Sequence, residues 1–293
     1  MAAPIQTCYR HPDRRAGVTC QRCDRPICPN CMSQASVGFH CPECSKEGRQ
    51  RVYTARTLFR GGAPIVTQAL IAVNVLVFLV GLAQSGDALA SSTNSFIDDY
   101  GVLGSAFTRH INGTIVPVGV AHGEWYRLVT GGFLHAGLLH IGLNMFALWI
   151  LGSQLEPAIG RVRFGVVYGT ALLAGSFGVM LVSPHEPTVG ASGAIFGLLG
   201  LALAAQRSQG INIWQSGLGP VLLINLAFTF GVSGISIGGH VGGLIGGYLA
   251  GALLYEVGPR IKNHTIPIWL CVALGAACFV GGILAANASA PII

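Results

Sequence analysis

Seven apolar stretches, near residues 64–84, 128–152, 162–183, 188–206, 214–233, 237–257 and 266–287, take up most of this 293-residue chain. A helix needs about 20 residues to cross the roughly 30 Å hydrocarbon layer of a bilayer, and each stretch is close to that length. The apolar residues run continuously instead of alternating, and a helix satisfies its own backbone hydrogen bonds in lipid. Spanning helices are therefore expected rather than a β-barrel. Composition agrees, with 52% hydrophobic and only 10% charged residues and a mean hydropathy of +0.60. The expectation is an all-α polytopic membrane protein.

Charge is distributed unevenly. Residues 1–63 hold ten Lys/Arg against four Asp/Glu, while the remainder holds seven against seven, so the net charge of +6 belongs to the N-terminal segment. Short cytoplasmic connections favour Lys and Arg. Arg49, Arg51, Arg56 and Arg60 precede the first run, Arg161 and Arg163 join the second to the third, Arg207 joins the fourth to the fifth, and Arg260 and Lys262 join the sixth to the seventh. All fall on one side if the N-terminus is cytoplasmic, which leaves Arg109 and Arg127 opposite and puts the C-terminus outside. The first apolar run begins near Pro64 and is too long for a signal-peptide core, so the N-terminal segment is expected in the cytosol and the spans in the plasma membrane.

Seven of the nine cysteines lie between Cys8 and Cys44, in the pairs Cys8-x2-His11, Cys20-x2-Cys23, Cys28-x2-Cys31 and Cys41-x2-Cys44. In a reducing cytosol, soft ligands at this spacing read as tetrahedral zinc sites, and eight ligands suit two structural Zn2+ ions. A cross-braced arrangement sets Cys8, His11, Cys28 and Cys31 on one ion and Cys20, Cys23, Cys41 and Cys44 on the other; sequential pairing uses the same residues, and His40 is a spare ligand. A redox-active thiol cluster is the competing reading. With few large apolar side chains, the segment is expected to fold on its metals, and its pattern resembles a small B-box-like zinc finger. Such a head suits a cytosolic protein partner, or lipid attraction through the Arg49–Arg60 stretch, better than nucleic acid.

Polar residues gather in three of the apolar runs. The second contains His135, His140 and Asn144, the last two on one helix face at an i, i+4 step. The fourth opens with Gly190-Ala191-Ser192-Gly193, which places a hydroxyl at a helix N-terminus able to stabilise an anion. The sixth opens around His240, and Gly239, Gly243, Gly247 and Gly251 recur every fourth residue. A bare face of that kind lets a neighbouring helix approach closely, which is expected to bring His240 to Ser192. With the N-terminus inside, all three runs point the same way, so these groups share the outer part of the membrane. Taken singly, a membrane serine is usually a packing or back-bonding residue; taken together, the groups form a site. Cys271 and Cys278 read as packing residues.

Joined in this order, the residues resemble the rhomboid family of intramembrane serine proteases over residues 64–260. The likeness rests on His135-x4-His140-x3-Asn144, on Gly190-Ala191-Ser192-Gly193 and on His240 with its following glycines. Glu124-Trp125-Tyr126-Arg127 looks like the family's aromatic-arginine motif, although an interfacial aromatic belt with a snorkelling Arg127 fits too. The implied layout is a head over 1–47 similar to that of actinobacterial members, a basic linker over 48–63, a six-helix core over 64–260, and a seventh helix and tail over 261–293.

The resemblance implies a Ser192–His240 dyad cleaving transmembrane protein substrates near the outer membrane boundary, with no metal in catalysis. It assigns the oxyanion to the Ser192 N–H, His140 and Asn144, with His135 holding the loop or local hydrogen bonds. Phe196, one turn after Ser192, matches a place where some members carry a tyrosine against the histidine, so stacking is expected to orient His240. A catalytically inactive rhomboid-like binding module is the alternative, and a transporter fits less well, since the chain shows no internal repeat or buried carboxylate array.

Overall fold

The computed structural model describes residues 6–35, 37–47, 63–85, 95–111 and 114–290, with the side chains of 47, 85, 95 and 107–115 outside the description. The chain divides into two compact units, residues 1–58 and 59–293. The expected basic linker over 48–63, with Arg49, Arg51, Arg56 and Arg60, lies outside the described residues except for Ala63.

The first unit is built from very short elements. Strand β1 (Val18–Thr19) pairs antiparallel with β2 (Pro26–Ile27), and β3 (Ser33–Gln34) with β4 (Phe39–His40); helix α1 (Pro42–Glu47) follows. Its buried core is Ile27 with six cysteines, so the sulfur atoms occupy the space that aliphatic side chains fill in a larger domain.

The second unit is helical: α2 (Ile65–Ser85), α3 (Ser95–Tyr100), α4 (Arg127–Thr130), α5 (Leu138–Ile159), α6 (Arg161–Val182), α7 (Ser192–Ser208), α8 (Leu218–Gly231), α9 (Ile237–Ala252) and α10 (Ile266–Ser289). Helices α2, α5, α6, α10 and the segment from Ile237 to Arg260 are long and apolar enough to cross a membrane. The chain is thus a multi-pass helical membrane protein.

Three expected spans begin or end elsewhere, each for a local reason. The second expected span, 128–152, is not one helix: its first residues belong to the short α4, and the long helix starts only at Leu138, because Gly137 sits at φ +96° and breaks the backbone within a continuous apolar run. His135 therefore precedes the helix and does not lie inside it. The fourth begins at Ser192 after Gly190 at φ +124° and has 17 residues; the fifth begins after Gly217 at φ +84° and has 14. Hydropathy registers composition and is blind to a left-handed glycine.

At the other end, α5 runs on to Ile159 past Glu156, which the apolar pattern excludes. The Glu156 carboxylate is buried, accepting hydrogen bonds from the N–H groups of Val66 and Thr67 at 2.9 and 2.8 Å and from the Thr67 hydroxyl at 2.7 Å. It caps the first turn of α2, whose N–H groups have no acceptor of their own.

Between α3 and α4 the chain forms a hairpin of β5 (Ala106–Ile111) and β6 (Thr114–Val118), absent from the sequence reading. Arg127, at the start of α4, is fully buried. Its Nε donates to Glu124 Oε2 at 2.6 Å and its Nη1 to the carbonyls of Asp98 and Gly101 at 2.7 and 3.0 Å. It is a clamp on the loop, so the snorkelling alternative falls away.

Helix α9 is wedged between α6 and α7. A Cβ built on Gly243 or Gly247 would collide with the carbonyl oxygens of Gly193 and Gly197 on α7, and one on Gly238 with that of Gly178 on α6. Glycine on two edges of α9 thus lets three backbones approach to a distance that no side chain permits.

Candidate active site and metal clusters

Close packing of α7 and α9 carries the polar groups together. Ser192 is the first residue of α7, reached through Gly190, whose N–H donates to the Gly131 carbonyl at 2.9 Å. Ser236 caps α9 by accepting from the Gly239 N–H at 3.1 Å, which places His240 in the first turn. His240 Nε2 lies 2.8 Å from Ser192 Oγ. The ring stacks on Phe196, with centroids 4.1 Å apart and planes 18° from parallel. On its far side, His240 Nδ1 lies 2.8 Å from the Thr229 hydroxyl of α8.

His140 approaches from α5. An alanine Cβ at Gly190 would stand 2.8 Å from His140 Nε2 and 3.6 Å from Ser192 Oγ, so both groups border Gly190 and a methyl group does not fit between the backbone and His140. The Ala136 N–H donates to His140 Nδ1 at 3.3 Å. In a neutral ring this leaves the proton on Nε2, the nitrogen turned toward Gly190. Asn144 is buried on the same face, and one hydrogen of its amide goes to the His140 carbonyl at 3.0 Å.

His135 is buried, neither ring nitrogen meets a partner of good geometry, and it packs edge-on against His140 with centroids 5.1 Å apart. A small cleft opens beside Ser192 and His240, walled by Gly131, Gly132, Gly175 and Gly193. A hydroxyl within reach of an imidazole, at a helix N-terminus and beside a cleft, can serve as an activated nucleophile.

Two residues that sequence reasoning missed matter here. Thr229 and Ser236 are single hydroxyls in or beside apolar runs, and nothing in their spacing separates them from packing residues.

In the first unit, the eight expected ligands fall into two groups, Cys8, His11, Cys28 and Cys31, and Cys20, Cys23, Cys41 and Cys44, with the ligand atoms of each within 4.8 Å of one another. The pairs alternate along the chain, as in the cross-braced arrangement, and His40 is in neither group. His11 Nδ1 lies 3.9, 3.5 and 3.3 Å from the sulfurs of Cys8, Cys28 and Cys31, and the sulfurs of Cys23 and Cys41 are 3.8 Å apart. Tetrahedral zinc, with Zn–S about 2.3 Å and Zn–N about 2.0 Å, sets its ligand atoms roughly 3.5–3.8 Å apart.

The thiols also divide in acidity. Burial raises Cys8 and Cys20, but backbone N–H groups outweigh it and hold both down at about 6. Cys31 is pushed up to about 11 by burial and by hydrogen bonding with Cys8, and Cys44 to about 12 by hydrogen bonding with Cys41 and by burial. Thiols this crowded ionise together only around a cation, and both groups can hold a metal ion.

These features define a helical membrane protein with a serine–histidine pair between packed helices and a small Cys/His head. Residues 122–257 match the Rhomboid domain. The chain is 36% identical to the rhomboid protease GluP of Bacillus subtilis over 235 residues, 78% of this chain and 43% of GluP. It is 42% identical to the putative rhomboid protease YdcA of the same organism over 87 residues, 29% of this chain and 44% of YdcA. Inactive RHOMBOID-like protein 8 of Arabidopsis thaliana is 30% identical over 106 residues, 36% of this chain and 30% of that protein. The chain thus spans less than half the length of each of these relatives. Together the domain and the relatives support the rhomboid family.

Proposed function

We propose that the protein is an intramembrane serine endopeptidase of the rhomboid type, acting on single-span membrane proteins through a Ser192–His240 dyad. The observation that carries this reading is the 2.8 Å approach of His240 Nε2 to Ser192 Oγ. His240 takes the hydroxyl proton as Oγ attacks the scissile carbonyl carbon. The resulting imidazolium then protonates the leaving amine as the C–N bond breaks, leaving an acyl-enzyme. Water attacks the ester, His240 accepts its proton and returns one to Ser192, and the carboxylate product departs.

The tetrahedral oxyanion needs donors. The Ser192 N–H at the start of α7, His140 Nε2–H and the second hydrogen of the Asn144 amide are assigned to it, and losing one such donor typically lowers the rate about 10²–10³-fold. Gly190 and Gly193 keep the approach open, Phe196 supports the His240 ring, and Arg127 holds the loop above. His135 buttresses His140 by packing. The positive-inside distribution puts the head in the cytosol and the dyad toward the outer face of the plasma membrane, so cleavage falls near the substrate's outer boundary. In the head, zinc is the metal whose ligand set and spacing fit both groups, with a structural role; its surface suits a cytosolic protein partner.

The expected outcome is that Ser192→Ala and His240→Ala each lower cleavage of a single-span test substrate in proteoliposomes by at least ~10³-fold, with expression and helix content unchanged. Wild-type cleavage by Ser192→Ala would sink the assignment. Match to an inactive relative raises a binding-module reading, which labelling by a serine-reactive fluorophosphonate separates: an enzyme is labelled, and Ser192→Ala is not.

A further inference from the structure

The hydroxyl of Thr229 stands between two groups, 2.8 Å from the Asn225 carbonyl oxygen and 2.8 Å from His240 Nδ1. Thr229 is buried, with 1% of its surface exposed, whereas most of α8 around it is exposed or half-buried. A hydroxyl has one hydrogen to give and lone pairs with which to accept. The Asn225 carbonyl can only accept, so the Thr229 hydrogen points there, and toward His240 the same oxygen is an acceptor. His240 Nδ1 must then carry the ring proton. That leaves the lone pair of Nε2 facing Ser192 Oγ, the arrangement in which imidazole can receive the serine proton.

We infer that Thr229 is a positioning residue that fixes the Nδ1–H tautomer of His240. This rests on the Ser192–His240 dyad reading and supplies what the dyad otherwise lacks. Phe196 stacks on the face of the ring and fixes its plane, but a stack does not distinguish one nitrogen from the other. The in-plane bond from Nδ1–H to Thr229 does. It forms a relay of donors from Ser192 to His240 to Thr229 to the Asn225 carbonyl, and the Thr229 oxygen also faces Nδ1–H when the imidazolium forms. A buried carboxylate holds this tautomer in Ser-His-Asp triads; a neutral hydroxyl whose own proton is committed elsewhere does the same without a buried charge.

Three substitutions separate positioning from packing. Thr229→Val keeps the shape and removes the acceptor, Thr229→Ala removes both, and Thr229→Ser keeps the hydroxyl. The full chain is purified in detergent, kcat and KM are measured on a single-span substrate, and ¹⁵N shifts of the histidine rings are recorded, with His240 assigned by its absence in His240→Gln. Positioning predicts that Val and Ala lower kcat alike, by about ten-fold, with KM changed less than about two-fold, since one hydrogen bond's worth of free energy corresponds to such a factor. It also predicts that His240 moves from the Nδ1–H form toward Nε2–H in both, and that Ser recovers most of the rate and the tautomer. Val with wild-type kcat and an unchanged Nδ1–H signal would overturn the inference, as would a loss confined to Ala, which marks packing. Full activity of Ser192→Ala overturns the dyad reading itself, and the ring shifts, which need no turnover, tell the two failures apart.

Discussion

Gly190 holds the backbone at φ +124° two residues before Ser192, with room for no more than a hydrogen between the chain and His140. Alanine here meets His140 Nε2 at 2.8 Å and enters a region of backbone space that costs an L residue about 1–2 kcal/mol. Both effects act on the turn that feeds Ser192 into α7, so Gly190→Ala is expected to lower kcat at least ten-fold while circular dichroism shows the helix content unchanged. Equal turnover by Gly190→Ala would remove His140 from the site. Ser192, His240, His140 and Asn144 are legible in the sequence because polar side chains stand out in apolar runs. Thr229 is equally polar but not legible. A membrane threonine ordinarily bonds its own helix one turn back, as Thr229 does to Asn225, and no spacing reveals that the same oxygen also meets a ring on another helix.

Among the elements, α9 sets the geometry that the proposed dyad needs. The four-residue glycine spacing is readable as one close-packing face; that two faces are used follows only from the three-helix arrangement, with Gly243 and Gly247 against α7 and Gly238 against α6. Gly243→Val places a branched side chain where the Gly193 carbonyl already lies, and separating the helices moves His240 away from Ser192. Overpacking of this kind costs about 1–3 kcal/mol, so a lower unfolding temperature in detergent micelles and loss of cleavage are expected together. Gly169 on α6 is the control, because a Cβ there meets nothing within 4 Å and alanine should leave both unchanged. Retained cleavage by Gly243→Val would show that the dyad tolerates a wider helix spacing. Other element-scale features hide for a different reason. Glu156 is visible as a charge ending an apolar run, but its role as a cap depends on partners about 90 residues away in the chain.

At the scale of the whole molecule, two ways of burying surface coexist. The membrane unit packs backbone against backbone between glycine-bearing helices, whereas the head has little to bury beyond Ile27 and the ligand cysteines. Both are legible from composition, because apolar runs and paired cysteines are patterns of residue type, and the eight candidate ligands of the head sort into two groups as their alternating order suggests. With metals held as proposed, folding of the head is coupled to them, and ligand deprotonation makes binding a competition with protons. The full chain purified without chelator is expected to contain close to two zinc ions, and Cys20→Ser close to one, by mass-spectrometric metal analysis. Stripping both with a strong chelator should expose the head to limited proteolysis, which zinc but not magnesium reverses, since sulfur-rich sites favour the softer ion. Every residue of the proposed dyad and oxyanion site lies in residues 135–240, so the stripped protein is expected to cleave a single-span test substrate at close to its original rate in detergent. A parallel loss of cleavage would mean that the metals act on the membrane unit itself, and a content of one ion in the untreated chain would overturn the two-site reading.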